Sequence, residues 1–327
     1  MDGTVKISIK EVSLSTLFFV GNSIINLPFA IHLESSIFGF LAAAILSLPL
    51  LLAYNGSLPF KNKFSAVAFC LYALFCGIAA FRNFVTFCDK IILPEIPLFF
   101  PTVLFLGLIW FTLKFKDKVL LKLSLVLWVL SIASVLVLFL MNLNNSSLKL
   151  ILPKDLPTLK GTAFQSASYM GMSFFEGVIL LTFFKDKSKK AALNGFALCC
   201  ILLFVCLAST LALFGYNLTA MLSYPYAAGM SVISFGDKFS RMEGLSYLLY
   251  FSCTLIKTAV CVKTAGKVFT FHFTKAKKYF SPAVFYIFAV VSTLTDVFGG
   301  APFIYVAPFF IIPPLLFTLI SKRFRLR

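Results

Sequence analysis

The sequence predicts an all-α membrane protein with ten transmembrane helices, arranged as two inverted repeats of five. The first observation is composition: 60% of the 327 residues are hydrophobic and only 13% are charged, whereas soluble proteins carry about 25% charged residues. The second is that apolar stretches of about 20 residues, the length that crosses a bilayer, recur along the whole chain. The third is that successive connecting segments are alternately rich and poor in basic residues.

The apolar stretches follow one another with short connections. They are residues 12–31, 36–54, 64–88, 97–114, 119–141, 163–184, 191–215, 244–266, 281–297 and 302–320. Proline and glycine mark many of their ends. Because the stretches nearly use up the chain, we expect one polytopic membrane domain over residues 1–327 and no soluble domain. The first stretch has no A-x-A-like cleavage site and is expected to remain as a helix.

The longest connection on the extracytoplasmic side is predicted at residues 216–243. Its apolar and aromatic content differs from that of a free linker. We therefore expect short helices lying over the outer mouth of the protein. The alternative is an ordinary ordered surface loop.

The basic residues fix a predicted orientation. Of 29 lysines and arginines, 20 lie in one set of alternating segments that includes both termini, six lie in the opposite set, and three lie within spans. The positive-inside rule therefore places both termini in the cytoplasm, and the alternation over every loop favours ten spans. The formal charge of +17 is read as this topology signal, so nucleic acid is not expected as a partner.

Ten spans divide into repeats at about 12–141 and 163–320. Five spans per repeat place the second repeat in the opposite orientation, which is the pattern of an inverted repeat. Gly21 interrupts the first span of the first repeat, and Gly171 interrupts the first span of the second. Backbone groups freed in mid-membrane are tolerated only where they face a cavity or a ligand. The alternative for each glycine is close helix packing.

The two broken helices predict a site for an α-amino acid head group. After the first break, free N–H groups at a helix start suit a carboxylate, and the carbonyls that end the helix before the second break suit an ammonium. The candidate ligand-binding residues are Gly21, Asn22, Ser23, Met170, Gly171, Met172, Ser173 and, shaping the pocket, Phe174.

Among the charged residues inside spans, where ionisable groups are rare and usually functional, two are candidates for a functional role. Glu176 is about a turn past the second break, and Lys257 is near the centre of the eighth span. Both spans run in the same direction, so the two side chains are expected at similar depth and are candidates for a coupling ion pair. The alternative is a purely structural pair, since buried pairs need not serve function.

Several chemistries are not indicated. The eight cysteines lie in apolar stretches without C-x-x-C spacing and are read as small buried hydrophobes, so neither a disulfide framework nor a metal site is expected. No Walker A loop, H-E-x-x-H or G-x-S-x-G motif occurs, so we expect neither a cofactor nor an enzyme.

Four runs of sequence carry a resemblance to a known family. They are ISIKEVSLSTLFFVGNSIINLPF, FRNFVTFCDKIILPEIPLFF, SFFEGVILLTFF and SYPYAAGMSVISFGDKFSRMEGLSYLLYFSCTLIKTAVCVKTA. In this order they resemble the bacterial spore-germination B-subunit family, the permease-like subunit of endospore germinant receptors within the amino acid–polyamine–organocation superfamily. The last run includes that family's basic–acidic pair, here Arg241 and Glu243, and its eighth-helix lysine, here Lys257.

The resemblance implies a ten-helix fold of five-plus-five inverted repeats and a place in the inner spore membrane. It also implies partners, namely an A-type membrane subunit and a lipoprotein subunit of the same receptor. The expected function is to bind a small nutrient, an amino acid, at the bilayer midplane and to trigger germination. Two alternatives stay open: a secondary transporter for amino acids or polyamines, with or without proton coupling, and a scaffold or ion-release channel without a ligand site.

Overall fold

A computed structural model describes residues 8–21, 23, 33–61, 63–92, 94–97, 99–142, 157–184, 188–232, 243–274 and 316. These residues are almost entirely helical. The helices are α1 Ile9–Val20, α2 Ser36–Ala53, α3 Lys63–Phe87, α4 Phe99–Lys114, α5 Asp117–Asn142, α6 Leu159–Tyr169, α7 Gly177–Phe184, α8 Lys189–Met221, α9 Pro225–Val232 and α10 Glu243–His272. Short π-helical segments follow α3 and α6, at Cys88–Ile92 and Met170–Phe174.

Within this part of the chain, five helical segments are long and apolar enough to cross a membrane. They are Leu33–Phe60, Lys63–Ile92, Asp117–Val137, Lys189–Met221 and Tyr247–His272. Helix α4 is apolar but shorter. The chain is therefore a multi-pass membrane protein, as the composition predicts.

The predicted spans agree with the observed helices where both can be compared. The second to fifth spans coincide with α2 to α5 to within a few residues, and the eighth coincides with most of α10. The first span begins as α1, but its residues 22 and 24–31 are not among those described. The ninth and tenth spans, 281–297 and 302–320, also lie outside the described residues apart from residue 316.

Burial separates central helices from lipid-facing ones. Every residue of α1 from Val12 to Val20 is buried, and 83% of the apolar window of α10 is buried, compared with 28% of that of α5. The outer faces carry large exposed aliphatic side chains, such as Ile45, Leu71 and Leu104. Such exposure is unfavourable in water and is what a lipid environment requires. Helices α1 and α10 therefore form the centre of the molecule.

Two glycines lie where helices cross in close contact. Each of them faces the Cβ atom of one residue and the backbone nitrogen of the next residue in the neighbouring helix. A Cβ atom on Gly39 of α2 would overlap Cβ of Gln165 in α6 and lie 3.0 Å from the Ser166 nitrogen. A Cβ atom on Gly195 of α8 would overlap Cβ of Ser15 in α1 and lie 3.0 Å from the nitrogen of the next residue, Thr16. Small residues at such crossings let helix backbones approach closely inside membranes.

Helix α8 is longer than the seventh predicted span, which ends at residue 215. The helix bends there, because Gly215 has φ 66° and ψ 179°, a backbone conformation that is essentially restricted to glycine. It then continues to Met221, and the short helix α9 follows. The predicted connection 216–243 therefore contains helical structure in its described part. Its place over the outer mouth stays a prediction.

Candidate site at the helix breaks

The first predicted break lies at the C-terminal end of α1. The Gly21 N–H donates to the Leu17 carbonyl over 3.0 Å, the Ser23 N–H donates to the Val20 carbonyl over 3.1 Å, and the regular helix stops at Val20. Ser23 is buried, whereas Asn22 is not among the described residues. The last carbonyls of a helix carry the negative end of its dipole, so this end of α1 attracts positive charge.

Gly21 also permits a close contact with α10. A Cβ atom at this position would lie 2.8 Å from Cδ and 3.0 Å from Cβ of Lys257, and 3.1 Å from the Cys253 carbonyl oxygen. The stem of Lys257 therefore passes directly over the Gly21 backbone. Gly21 therefore lies at a tight packing contact as well as at a helix end, and its role in ligand binding stays a prediction.

The second predicted break has a different form from the one expected. Met170, Gly171, Met172, Ser173 and Phe174 make up a π-helical segment rather than a free chain. The Phe175 N–H donates to the Met170 carbonyl over 2.9 Å, and a turn at Phe175 and Glu176 leads into α7. The wider i→i+5 hydrogen bond pairs the Met170 carbonyl, and the regular helical path is interrupted after this segment, at Phe175 and Glu176.

Phe174 packs inside an aromatic cluster. Its ring lies 5.8 Å from that of Phe40 and 5.1 Å from that of Phe196, in edge-to-face arrangements. Phe40 also meets Tyr169 at 5.2 Å, and Phe196 meets Phe19 at 5.3 Å. Offset and edge-to-face contacts of this kind stabilise buried rings. The cluster joins α1, α2 and α8 to the segment after α6.

Glu176 and Lys257 form an ion pair, as their positions in the sequence suggest. The Lys257 Nζ contacts Glu176 Oε2, and both side chains are fully buried. Tyr72 and Cys76 on α3 are close electrostatic neighbours of the carboxylate. Breaking such a pair by removing one partner leaves an uncompensated charge in a region that water does not reach.

Each charge of the pair lies near a helix end of the complementary sign. Glu176 is the residue immediately before α7, where the helix dipole has its positive end, and its backbone carbonyl accepts from the Ile179 N–H over 2.8 Å. Lys257 packs on Gly21 at the negative C-terminal end of α1. Helix dipoles therefore help to stabilise both charges in a buried position.

Sequence reasoning missed two threonines beside the pair. Thr254 and Thr258 flank Lys257 on α10 and are fully buried, and neither hydroxyl has a hydrogen-bond partner among the described residues. Most other buried helical hydroxyls bond the carbonyl four residues earlier, as Thr264 and Thr210 do. The only signal in the sequence is the spacing of the two threonines from Lys257, which places all three on one helix face.

A separate pocket of about 600 Å³ lies between α3, α4 and α10. Phe84, Phe105 and Phe251 form part of its wall, and Glu95 is its charged residue. It opens beside Phe100 and Leu104, which are exposed on the lipid-facing side of α4. None of the predicted ligand-binding residues that the structure describes lines it. Its apolar wall suits a hydrocarbon group better than a zwitterion.

The cysteines and acidic residues show no metal-binding arrangement where the structure describes them. All eight cysteines are free, and seven are buried. Among the described residues, no group of three histidine, cysteine or acidic side chains is placed to hold a metal ion.

Comparison with solved structures finds the same fold in a transporter. A Na⁺-coupled sialic acid symporter, solved in a substrate-bound outward-open state with a novel Na⁺ site, aligns with a TM-score of 0.60 and 13% sequence identity. The alignment covers 98% of this chain and 77% of the symporter. At this identity the likeness concerns the fold alone.

Sequence comparison identifies the family. No curated protein matches the chain significantly. The model of the family described as spore germination protein, a family of spore permeases, matches residues 62–297, which is more than half of the chain. The match includes α3 to α10 and both members of the buried ion pair. The chain therefore belongs to the spore germination protein family.

Proposed function

We propose that this protein is the membrane subunit of a spore nutrient-germinant receptor. It binds a small nutrient, an amino acid, at the helix breaks near the midplane of the bilayer and triggers germination. The observation that carries this proposal is the buried Glu176–Lys257 pair between the ends of α1 and α7, in a chain of the spore germination protein family. Its action is binding and conformational change, not catalysis.

The proposed fold has ten spans in two inverted repeats. In such a repeat, the crossing of α1 with α8 corresponds to the crossing of α6 with α2. The matched glycine contacts support this: Gly195 meets Ser15 as Gly39 meets Gln165. Ser15 and Gln165 also stand at the same spacing before Gly21 and Gly171.

The proposed cytoplasmic orientation of the termini is supported by contacts among basic segments. Lys267 pairs with Asp117 at 2.7 Å, and the Lys189 ammonium donates to the Leu52 carbonyl over 2.6 Å. His272 Nε2 lies 2.9 Å from the Pro59 carbonyl oxygen. These ties join segments that the positive-inside rule assigns to one side of the membrane.

The ligand is proposed to contact the backbone around Gly21 to Ser23 and around Met170 to Ser173, with Phe174 as part of the wall. Glu176 and Lys257 couple occupancy to helix position. A ligand that binds one arrangement of α1 and α7 more tightly than another shifts the population towards that arrangement. In the inner spore membrane, the A-type and lipoprotein subunits of the receptor are proposed to respond to this shift.

A secondary transporter is the second candidate, because the chain shares its fold with a symporter. Labelled amino acids offered to proteoliposomes separate the two functions. Saturable binding without accumulation supports the receptor, whereas accumulation inside the vesicles supports transport. Lys257→Met is expected to abolish the response to the amino acid, seen here as saturable binding. Lys263→Met, on the same helix, is the matched control and should keep it. Conductance without any binding would instead favour a channel.

A further inference from the structure

We propose that the Glu176–Lys257 ion pair occupies the ligand's place in the empty protein and is exchanged for the ligand on binding. The carboxylate of a zwitterion pairs with Lys257, its ammonium pairs with Glu176, and the two side chains separate to admit it. This inference rests on the proposed function and specifies its chemistry: the ligand must carry both charges.

The first support is where the two charges lie. The stem of Lys257 packs on Gly21 at the C-terminal end of α1, Glu176 is the residue before α7, and the ammonium and the carboxylate contact each other. Each belongs to the first span of one proposed repeat or packs directly on it. The pair therefore bridges the two interrupted helices with one positive and one negative group, which is the charge pattern of an amino acid head group.

The second support is charge balance. Both side chains are fully buried, so separating them without compensation would leave two unpaired charges away from water. A zwitterion replaces the single pair with two pairs and leaves neither charge exposed to an apolar environment. A ligand with only an amine or only a carboxylate leaves one protein charge unpaired. Discrimination against singly charged analogues follows from this penalty.

The third support is spare hydrogen-bonding capacity on the same face of α10. Thr254 and Thr258 are buried, and their hydroxyls are unpartnered among the described residues. Buried polar groups in native proteins are usually satisfied, so an unpartnered pair indicates that another group or water completes the site. A hydroxyl both donates and accepts, and it can therefore bond either end of a zwitterion.

The fourth support is the contact that transmits the exchange. The Lys257 stem lies on the Gly21 backbone, within the distance at which a Cβ atom would collide. A shift of Lys257 towards a ligand therefore changes the packing at the end of α1. On the other side, a shift of Glu176 acts directly on the start of α7.

The test is a binding measurement on the full chain in lipid nanodiscs. The common L-amino acids are screened first, and the tightest binder is compared with its carboxylic acid, which lacks the amine, and with its amine, which lacks the carboxylate. We expect the wild type to prefer the zwitterion by about 100-fold or more. The double variant Glu176→Gln/Lys257→Met should lose this preference and bind the zwitterion about tenfold or more weakly.

Two further variants keep the test decisive. Asp117→Asn/Lys263→Met removes the ion pairs that Asp117 forms with Lys263 and Lys267 of α10 and should retain the preference. Glu176→Asp keeps the charges balanced but shortens the side chain, which draws the carboxylate away from the ligand's ammonium. It should therefore weaken binding of the zwitterion and the amine but not of the carboxylic acid. An unchanged preference in both Glu176 variants would overturn the exchange and leave the proposed function standing. A wild type that binds none of the amino acids would overturn both.

Discussion

At the scale of single residues, the stability of the molecule depends on keeping the buried charges of Glu176 and Lys257 compensated. Lys257→Met alone leaves a buried carboxylate without its partner, a loss of about 3–5 kcal/mol in comparable cases. The double variant Glu176→Gln/Lys257→Met removes both charges and should recover most of that loss. Chemical unfolding in detergent, monitored by circular dichroism, compares the two. Equal destabilisation would show that the pairing has little energetic effect.

The glycine contacts give a second prediction at this scale. Gly39→Ala and Gly195→Ala each place a methyl group on a neighbouring backbone, and overpacking of this kind typically costs about 1–3 kcal/mol. Gly107→Ala in α4 is the matched control, because nothing lies within 4 Å of its would-be Cβ; it should stabilise α4 by about 0.5–1 kcal/mol. Thermal unfolding measures all three, and similar midpoints would contradict the close crossings.

Some site residues are predictable from the sequence and others are not. Gly21, Glu176 and Lys257 stand out because glycine and charge are uncommon in the middle of apolar spans. Thr254 and Tyr72 do not stand out, because threonine and tyrosine are common in helices, and for Tyr72 only the fold brings it to the ion pair. The ligand-binding role of every one of these residues stays a proposal.

At the scale of elements, the helices were predictable and their irregularities were not. Apolar length determines where a helix crosses a bilayer, so α2 to α5 begin and end close to the predicted spans. Gly171 predicted an interruption but not its form: Met170–Phe174 is a π-helical segment, and its Phe174 packs against Phe196 of α8, a contact that the sequence alone does not reveal. The seventh span was predicted to end at residue 215, and Gly215 is where regular helix geometry is interrupted; the helical turns that follow it as far as Met221 were not predicted in detail.

The bend in α8 carries a prediction of its own. Gly215→Ala forces a side chain into a conformation with φ 66°, which costs about 1–3 kcal/mol. The variant should unfold at a lower temperature and should displace α9, whose Tyr226 is buried against Cys206 and Tyr250. Protease sensitivity around α9 is expected to rise. If the variant instead has the unfolding temperature and the protease resistance of the wild type, α8 does not need the bend at Gly215.

At the scale of the whole molecule, membership of the spore germination protein family and a multi-pass membrane architecture are confirmed. Both were accessible from the sequence, because hydropathy and motif order do not require three-dimensional contacts. The orientation is not tested by either result. It is inferred from the distribution of basic residues and from contacts such as the ion pair between Lys267 and Asp117.

Side-specific labelling tests that orientation. Cysteines introduced at Glu95 and at Lys118, both exposed, are predicted to lie on opposite sides of the membrane. A membrane-impermeant maleimide added to right-side-out vesicles should label position 95 and spare position 118 until the vesicles are opened. The eight native cysteines serve as the background, since seven of them are buried. Labelling of both positions from outside would refute the ten-span topology.

The most direct measurement is a structure of the full chain in nanodiscs, determined with and without the amino acid that binds most tightly. With the ligand, we predict density between Lys257 and Glu176, which now lie apart, and a shifted contact between Lys257 and Gly21. Without the ligand, the ion pair should be closed. An intact ion pair in the bound structure, with the ligand elsewhere, as in the pocket between α3, α4 and α10, would contradict the account.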